Sequence, residues 1–370
     1  MIFFRFSTYT MKYLFFSTNI LSWFSQNRRN LPWRETKNPY FIWISEVILQ
    51  QTRVSQAENY YKRFVLNFPF INELADAPED EVLKIWQGLG YYTRARNMHK
   101  GAKYIVEILN GEFPRTPEQL IKIPGIGSYT AAAIASIAFN YPAAAVDGNI
   151  YRVISRFFNI STPIDTSQGK KEFQKIADEL IDKKRPGEYN QAVMEFGALH
   201  CTPKIPNCAN CPLQEKCMAY ANKNVLQLPV KKRKTKQSFR YFNYLVIEQN
   251  NSIFFYRRRN KDIWKNLFEF PLIETTTDTD IAQLIQTKEW LNLFGKQPVV
   301  ITNAFPPVKH VLSHHIIMAR FIHVSLHKSV KISCNFIKWN KHEPLKIPVS
   351  RIIEKHIDNV TSINPISTNQ

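Results

Sequence analysis

The stretch Ile123-Pro-Gly-Ile-Gly-Ser-Tyr-Thr130 decides how we interpret the N-terminal part of this chain. It joins two helical signals: Thr116-Pro-Glu-Gln119, a capping-box start with proline at the first helical position, and the alanine-rich residues 128–138. A Pro-Gly-x-Gly hairpin turns tightly, and Gly125 and Gly127 would leave backbone N–H groups free at the next helix N-terminus, where phosphate binds. A plain turn between helices has a similar sequence, so both interpretations remain open at this point.

The composition indicates a folded, strongly basic chain. A length of 370 residues corresponds to about two or three domains, and 44% hydrophobic residues exclude a disordered protein. Lys and Arg outnumber Asp and Glu by 49 to 30, which gives a formal charge of +19. Such an excess favours nucleic acid as partner over an anionic membrane surface, and it favours phosphate binding at the hairpin.

The order of patterns along the chain predicts three parts. We expect a mostly helical region at residues 12–222, a basic linker at 223–237 and a smaller α+β region at 238–357, with strands at 241–248, 252–256, 299–304 and 316–326. The first helix is expected at 15–26, after an irregular leader, and the tail beyond 357 is expected to fray. No apolar run reaches about 18 residues and no signal-peptide pattern is evident, so we expect a cytoplasmic protein without a membrane span.

A group of cysteines predicts a metal centre. The spacing is Cys201-x6-Cys208-x2-Cys211-x5-Cys217, and free buried cysteines have no reason to cluster in this way. Thiolates suit zinc or an iron–sulfur cluster, and one close pair with two outlying cysteines favours the cluster over a zinc ribbon. The fifth cysteine, Cys334, is expected in the core.

Two carboxylates stand in apolar surroundings. Glu46 is the only charge in Tyr40-Phe-Ile-Trp-Ile-Ser-Glu-Val-Ile-Leu49 and either caps a helix or is desolvated, which would suit it to general-acid catalysis. Asp147 precedes Gly148-Asn149 and a helix expected at 150–158, so an ordinary N-cap is the simpler interpretation. Two carboxylates in different protonation states are what cleavage of a glycosidic bond requires.

Two further segments combine glycines, amides and aromatic residues. They are Gln50-Gln51-Thr52 and Gly88-Leu-Gly-Tyr-Tyr-Thr-Arg-Ala-Arg-Asn97. Either they form loops that follow a DNA backbone and insert wedges between bases, or they are solvated helix starts with aromatic packing.

Together these motifs resemble the helix-hairpin-helix DNA glycosylases, specifically the adenine DNA glycosylases of the MutY family, over residues of about 20 to 355. The resemblance also rests on Leu31-Pro-Trp-Arg34 and Val146-Asp-Gly-Asn149. It implies a multi-domain protein: an all-α helix-hairpin-helix glycosylase domain of two subdomains flanking a cleft, with a 4Fe-4S cluster on the four cysteines, and a C-terminal α+β Nudix-like domain. It also implies excision of a flipped adenine that is mispaired with 8-oxoguanine or guanine in double-stranded DNA. We expect a monomer associated with the nucleoid.

The resemblance assigns roles by position. Glu46 would protonate the adenine leaving group, and Asp147, supported by Asn149, would stabilise the oxocarbenium ion or form a transient adduct. Tyr129 would lie against this site. The matches to the adenine pocket are Trp33, Arg34 and Gln191, and the matches to wedges in the duplex are Gln51 and Tyr91, with Leu49 packed nearby.

Related endonuclease III-like enzymes carry a hairpin lysine that acts as a Schiff-base nucleophile and cut the strand as well. Tyr129 stands at the matching position, so the resemblance implies a monofunctional glycosylase. A bifunctional glycosylase/lyase and a noncatalytic DNA-damage binding scaffold are the alternatives.

Residues 238–357 resemble the MutT-like (Nudix-fold) domain that reads 8-oxoguanine in this family, as Asp262-Ile-Trp-Lys-Asn-Leu-Phe-Glu-Phe-Pro271 is typical of it. The glutamate-rich metal-binding box of Nudix hydrolases is missing after Pro271, so we expect no nucleotide hydrolysis. The lesion-reading loop would be Leu312-Ser313-His314, with Ser313 and His314 as hydrogen-bonding candidates. Leu312 departs from the aromatic residue that relatives often carry there, and His314 with His315 would otherwise be a surface pair at a strand start.

Overall fold

The computed structural model describes residues 2–232, 237–295, 297, 299–327 and 336–363. These residues divide into two units. One combines the chain up to Ala77 with the chain from Arg96 to the linker, and the other combines Pro78–Ala95 with the C-terminal part. Cys334 and the linker residues 233–236 lie outside the described residues.

The first unit is built from helices, with short 3-10 turns at Pro32–Arg34, Gln214–Lys216 and Val225–Gln227. In chain order, and counting α5 of the second unit, the helices are α1 Ile2–Asn27, α2 Pro39–Leu49, α3 Val54–Asn67, α4 Ile71–Asp76, α5 Glu79–Ile85, α6 Thr93–Leu109, α7 Pro117–Leu120, α8 Ser128–Phe139, α9 Gly148–Phe158, α10 Ser167–Leu180, α11 Pro186–Leu199 and α12 Met218–Ala221.

Local sequence signals explain several helix boundaries. Asn38 caps α2 by accepting a hydrogen bond from the Tyr40 N–H at 3.0 Å, and Pro39 occupies the first turn. α8 ends at Asn140, whose left-handed backbone (φ 56°) closes the helix. The expected capping box at Thr116 is wrong, because its side chain makes no cap hydrogen bond within the part of the chain that the structure describes.

The core of the first unit contains one cluster shared by α1, α9, α10 and α11. Its fully buried members include Phe16, Phe24, Phe157, Phe173 and Phe196. α1 begins at Ile2, well before the expected start at residue 15, so the aromatic leader continues the helix. One face of α11 therefore packs in this core. The cysteine loop follows α11 directly in the chain.

The second unit contains a mixed sheet with helices on it. Its strands are β1 Ser238–Gln249, β2 Ser252–Arg257, β3 Phe268–Glu269, β4 Leu272–Thr275, β5 Val299–Ala304, β6 Val308–Val311, β7 His315–Leu326 and β8 Ile337–Asn340, and its further helices are α13 Ile281–Leu284, α14 Lys288–Phe294 and α15 Arg351–Ile363. The main order is β3-β2-β1-β7-β5, with β1 and β7 parallel and in register from Ser238↔His315 to Glu248↔Ser325. The β4, β6 and β8 strands pair with β1, β7 and β2 respectively.

Both faces of this sheet are covered. Ile352 and Ile353 of α15 pack with Phe321 on one face, whereas Trp290 and Phe294 of α14 pack on the other. The expectation of a frayed tail beyond residue 357 is wrong for residues 358–363, which continue α15, and residues 364–370 lie outside the described residues.

The segment Pro78–Ala95 belongs to the second unit through polar contacts. Asp80 forms an ion pair with Arg257, and the Gln87 Nε2 donates to Glu354 Oε1 at 2.6 Å. The Tyr92 hydroxyl donates to the Val349 carbonyl at 3.3 Å. These contacts hold the Gly88–Tyr92 turn against α15 and the residues just before that helix. None of the described helices combines the length and apolar character needed to span a bilayer.

Candidate active site

A cavity of about 750 Å³ in the first unit brings together segments that are far apart in the sequence. Most of the predicted site residues line it: Trp33, Arg34, Glu46, Leu49, Gln51, Gly125, Gly127, Tyr129, Asp147, Asn149 and Gln191. The structure therefore joins the α2 carboxylate, the hairpin, the start of α9 and the middle of α11 in one place.

Glu46 is a buried carboxyl group with one close hydrogen-bond donor. Its side chain is part of α2 and the residue is 6% exposed, while the Tyr129 hydroxyl donates to Oε2 at 2.6 Å. Burial raises the pKa of Glu46 to about 7, the Tyr129 hydrogen bond and the Arg34 charge lower it, and the Asp147 charge raises it. Of the two interpretations, the desolvated carboxyl is the one observed, and helix capping is not.

Asp147 serves as the N-cap of α9 and also lines the cavity. Its Oδ1 accepts from the Ile150 N–H at 2.8 Å, and its Oδ2 accepts from Asn149 Nδ2 at 2.7 Å. Burial raises the pKa of Asp147, whereas these two hydrogen bonds and the Arg152 charge lower it. Desolvation is thus the largest influence on both carboxyl groups and raises the pKa of each, and Asp147 differs in accepting two N–H hydrogen bonds that favour its ionised form.

Arg152 connects this site with the cysteine loop. One of its N–H groups donates to Asn149 Oδ1 at 2.8 Å, and Nε donates to the Cys201 carbonyl at 2.8 Å. Asn149, which holds Asp147, is therefore held in turn by a side chain anchored on the loop.

The hairpin adopts a tight turn against α6. Gly125 has a left-handed backbone (φ +85°), and a Cβ there would lie 2.8 Å from Cβ of Asn97. Gly127 is the N-cap of α8, and among the described residues no side chain caps this first turn. The backbone N–H groups of that turn are thus placed to receive an anion.

The four cysteines lie in the loop between α11 and α12. Cys201, Cys211 and Cys217 pack against the helical core, and Arg156 donates to Cys201 Sγ at 3.3 Å. The pKa of Cys211 is raised to about 12, chiefly by burial and also by the charges of the other three cysteines. The four cysteines are therefore near enough to influence one another electrostatically, although among the described residues no group of three or more ligand side chains is arranged so that it could hold a metal ion. The donor set, four thiols without a carboxylate or imidazole, fits an iron–sulfur group.

Three predicted residues form a separate group in the second unit. Tyr91 is half exposed with a left-handed backbone (φ 47°), and its hydroxyl is hydrogen-bonded to Ser313 Oγ. Ser313 and the exposed His314 occupy the short connection between β6 and β7. Leu312 packs partly against the core of the sheet, so its side chain supports the connection.

The similarity to known proteins extends over nearly the whole length of this chain. The adenine DNA glycosylase of Buchnera aphidicola subsp. Baizongia pistaciae is 38% identical over 354 residues, which are 93% of this chain and 97% of that protein. The chain belongs to the adenine DNA glycosylase family. The mouse adenine DNA glycosylase is 44% identical over 214 residues, 55% of this chain and 42% of that protein.

Domain families and solved structures agree with this membership. Residues 44–181 match the HhH-GPD superfamily of base excision DNA repair proteins, and residues 243–359 match the NUDIX domain. A thermostable thymine-DNA glycosylase is similar with a TM-score of 0.54 and 30% identity, covering 57% of this chain and 98% of that one. Endonuclease III in a non-covalent DNA complex follows with a TM-score of 0.51 and 26% identity, covering 58% and 97%. The predicted family and the predicted fold class are confirmed.

Two charged residues that line the cavity were missing from the predicted set. They are Glu195 in α11 and Arg29 before the first 3-10 turn. Glu195 is the only charge between Tyr189 and Leu199, the same signal of a lone charge in an apolar helix that singled out Glu46. Arg29 carries no comparable signal, because it lies in a basic, solvated stretch.

Proposed function

We propose that this protein removes adenine mispaired with 8-oxoguanine or guanine from duplex DNA by hydrolysis and leaves an abasic site. One observation carries the proposal: Glu46 and Asp147 line the same cavity, and Asp147 accepts two N–H hydrogen bonds that favour its ionised form, where Glu46 accepts one from a hydroxyl group. The relatives named adenine DNA glycosylase supply the substrate class.

The chemistry follows from these two carboxyl groups. A protonated Glu46 donates its proton to the departing adenine, while the electrons of the C1′–N9 bond leave with the base. Tyr129 holds the Glu46 carboxyl through its hydroxyl group. The Asp147 carboxylate stabilises the oxocarbenium ion or adds to it transiently, and water completes the hydrolysis. Because a stacked base is out of reach, the adenine must first leave the helix.

DNA would be held through its backbone and read at the lesion by different parts of the chain. The hairpin N–H groups supply phosphate contacts that carry no sequence information. Gln51 and Tyr91 are the proposed wedges, and Ser313 with His314 is the proposed 8-oxoguanine reader. The hydrogen bond between Tyr91 and Ser313 supports a common role for these two residues, which are 222 positions apart.

We also propose a 4Fe-4S cluster held by Cys201, Cys208, Cys211 and Cys217. The all-thiol donor set and the partial burial of these side chains support it. When bound, the cluster would fix the loop whose Cys201 carbonyl receives Arg152.

The proposal favours a monofunctional glycosylase over its two rivals. A bifunctional lyase of the endonuclease III type needs an amine nucleophile at the hairpin, and the hydroxyl of Tyr129 stands there instead. A noncatalytic scaffold would have no need for a desolvated acid facing a second carboxylate.

The test is single-turnover incubation with a labelled duplex that contains one adenine opposite 8-oxoguanine. Half of each sample receives alkali before electrophoresis, and a parallel sample receives borohydride to trap any Schiff base. Duplexes with adenine opposite guanine and opposite thymine measure specificity. Glu46→Gln and Asp147→Asn are the matched variants, since each removes a carboxyl group at nearly constant volume.

We expect breaks only after alkali, no borohydride adduct, and at least a hundred-fold slower excision in both variants. Breaks without alkali together with a trapped adduct would establish the lyase. Tight binding without excision by the unaltered protein would establish the scaffold.

A further inference from the structure

Glu195 is a buried carboxylate at the wall of the cavity, and both of its oxygen atoms accept hydrogen bonds from arginine. The residue is 2% exposed and faces the guanidinium groups of Arg29 and Arg34. From Arg29, the backbone N–H and Nε donate to Oε1 at 3.0 and 2.8 Å, and Nη2 donates to Oε2 at 2.5 Å. From Arg34, Nη1 and Nη2 donate to Oε1 and Oε2 at 2.9 and 2.8 Å. Both arginines are therefore bound in two-pronged geometry, which fixes their orientation as well as their charge.

The Glu195 carboxylate stays ionised over the pH range in which excision would be measured. Burial alone would raise the pKa of Glu195, but the hydrogen bonds from Arg29 and Arg34 outweigh burial and lower it to about 2. Two guanidinium groups and one carboxylate leave a single net positive charge at this wall. Without the carboxylate the wall would carry two.

Arg34 is the member of this wall whose charge acts on Glu46. Three groups face that carboxyl from the elements around it: the Tyr129 hydroxyl from α8, the Asp147 carboxylate before α9 and the Arg34 guanidinium from the 3-10 turn. Among these, Arg34 favours loss of the proton electrostatically and Asp147 favours its retention. A second, uncompensated positive charge on the Arg34 side would shift this balance towards the ionised acid.

We propose that Glu195 is a positioning residue of the reaction: it holds Arg34 and Arg29 at the cavity wall and offsets their charge, so that Glu46 keeps the proton it donates to adenine. The inference rests on the proposed function for the donated proton. Glu195 itself acts through the arginines.

The test compares pH profiles of single-turnover excision for the full-length protein and three variants. Glu195→Gln should lower the midpoint of the alkaline limb by about one pH unit, so that the loss of excision rate relative to the unaltered protein is about ten-fold greater above pH 8 than near pH 5. Glu195→Asp keeps the charge and should keep the midpoint. Glu195→Gln combined with Arg29→Gln restores one net positive charge and should return the midpoint towards that of the unaltered protein.

A purely structural role of Glu195 would not produce recovery of the alkaline midpoint in the variant that combines Glu195→Gln with Arg29→Gln. An unaltered midpoint in a folded Glu195→Gln protein would overturn the proposal. If that protein does not fold, Arg29→Gln alone tests the same idea with opposite sign, since loss of one guanidinium should raise the midpoint. A midpoint that stays fixed or falls in Arg29→Gln would be equally decisive against it.

A second measurement separates this inference from the proposed function. The unfolding free energy of each protein is compared with that of its Glu46→Gln derivative across pH, and the midpoint of the difference reports the Glu46 proton without any substrate. An inactive unaltered protein would overturn the proposed function, yet the shift caused by Glu195→Gln would still be measurable here.

Discussion

Glu46 and Asp147 show how identical chemistry is separated by local environment. Glu46 sits inside α2, where no backbone N–H is free to bind it, so the Tyr129 hydroxyl is its closest donor. Asp147 stands at a helix start, where the Ile150 N–H and the Asn149 amide bind its two oxygens. The proposed function assigns the acid to the residue inside the helix and the anion to the residue at the helix start, where two N–H donors favour the charged form.

The buried acid should destabilise the protein at high pH. The pKa of Glu46 is raised from 4.5 to about 7 in the folded protein, so its contribution is fully present below pH 4.5 and is lost as the pH rises through 7. The loss amounts to about 3 kcal/mol. Glu46→Gln cannot ionise, and we expect it to become more stable than the unaltered protein by up to this amount at pH 8, with little difference at pH 4. Chemical denaturation at a series of pH values measures it.

Glu58→Gln is the matched control, because Glu58 is partly exposed on α3 and forms a surface ion pair with Lys62. We expect it to change stability by less than about 0.5 kcal/mol at either pH. Equal pH dependence of the unaltered protein and Glu46→Gln would contradict a desolvated acid at position 46.

At the scale of elements, the hairpin depends on its two glycines in different ways. Gly125 needs a left-handed backbone and approaches α6 at Asn97, so Gly125→Ala combines backbone strain with overlap and should destabilise the protein by about 2 kcal/mol or more. Gly127 has φ −88° and, among the described residues, no heavy atom within 4 Å of an added Cβ. Gly127→Ala should therefore lose less than about 1 kcal/mol.

Thermal unfolding and binding to an undamaged duplex test this contrast. Gly125→Ala should weaken binding because the hairpin moves from α6, whereas Gly127→Ala keeps its backbone N–H and should bind as before. Similar losses in both variants would show that neither glycine has the separate role assigned to it.

The elements also show which parts of the fold were predictable. The helix at 128–138 and the strands at 241–248, 252–256, 299–304 and 316–326 were predicted and are present, because their apolar pattern alone specifies them. The strands β3, β4, β6 and β8 were not predicted. Each has four residues or fewer and forms by pairing with a longer strand, a long-range contact that no local pattern records. Only the part of α15 after residue 357 was taken for a frayed tail, because it is mostly polar, whereas the buried pair Ile352 and Ile353 lies before it.

The residues of the candidate site also divide into those that the sequence indicated and those that it did not. Glu46 stood out as a lone charge, and the family resemblance supplied positions such as Gln191 and Trp33, all of which line the cavity. Arg29 was missed because its role depends on Glu195, which follows it by 166 residues. A partnership between two charges at that distance exists only in the folded chain.

For the whole molecule, the excess of positive charge should dominate binding to undamaged DNA. With a formal charge of +19, each phosphate neutralised by a lysine or arginine releases a counterion and steepens the salt dependence. In the described part of the linker, Lys231 and Lys232 are exposed, and the Lys232 backbone N–H is fixed to Asp165 at 2.9 Å. These two side chains thus extend from an anchored backbone into solvent, where a DNA backbone can reach them.

We therefore expect Lys231→Ala with Lys232→Ala to reduce the slope of log K against log salt by about one to two, because each lost phosphate contact removes about 0.9 from it. Lys62→Ala is the control, since Glu58 already offsets the Lys62 charge at 2.7 Å and the slope should not change. Fluorescence anisotropy with an undamaged duplex at several salt concentrations gives all three slopes. A slope unchanged in the double variant would place the DNA away from the linker, and the phosphate contacts would then have to come from the folded units alone.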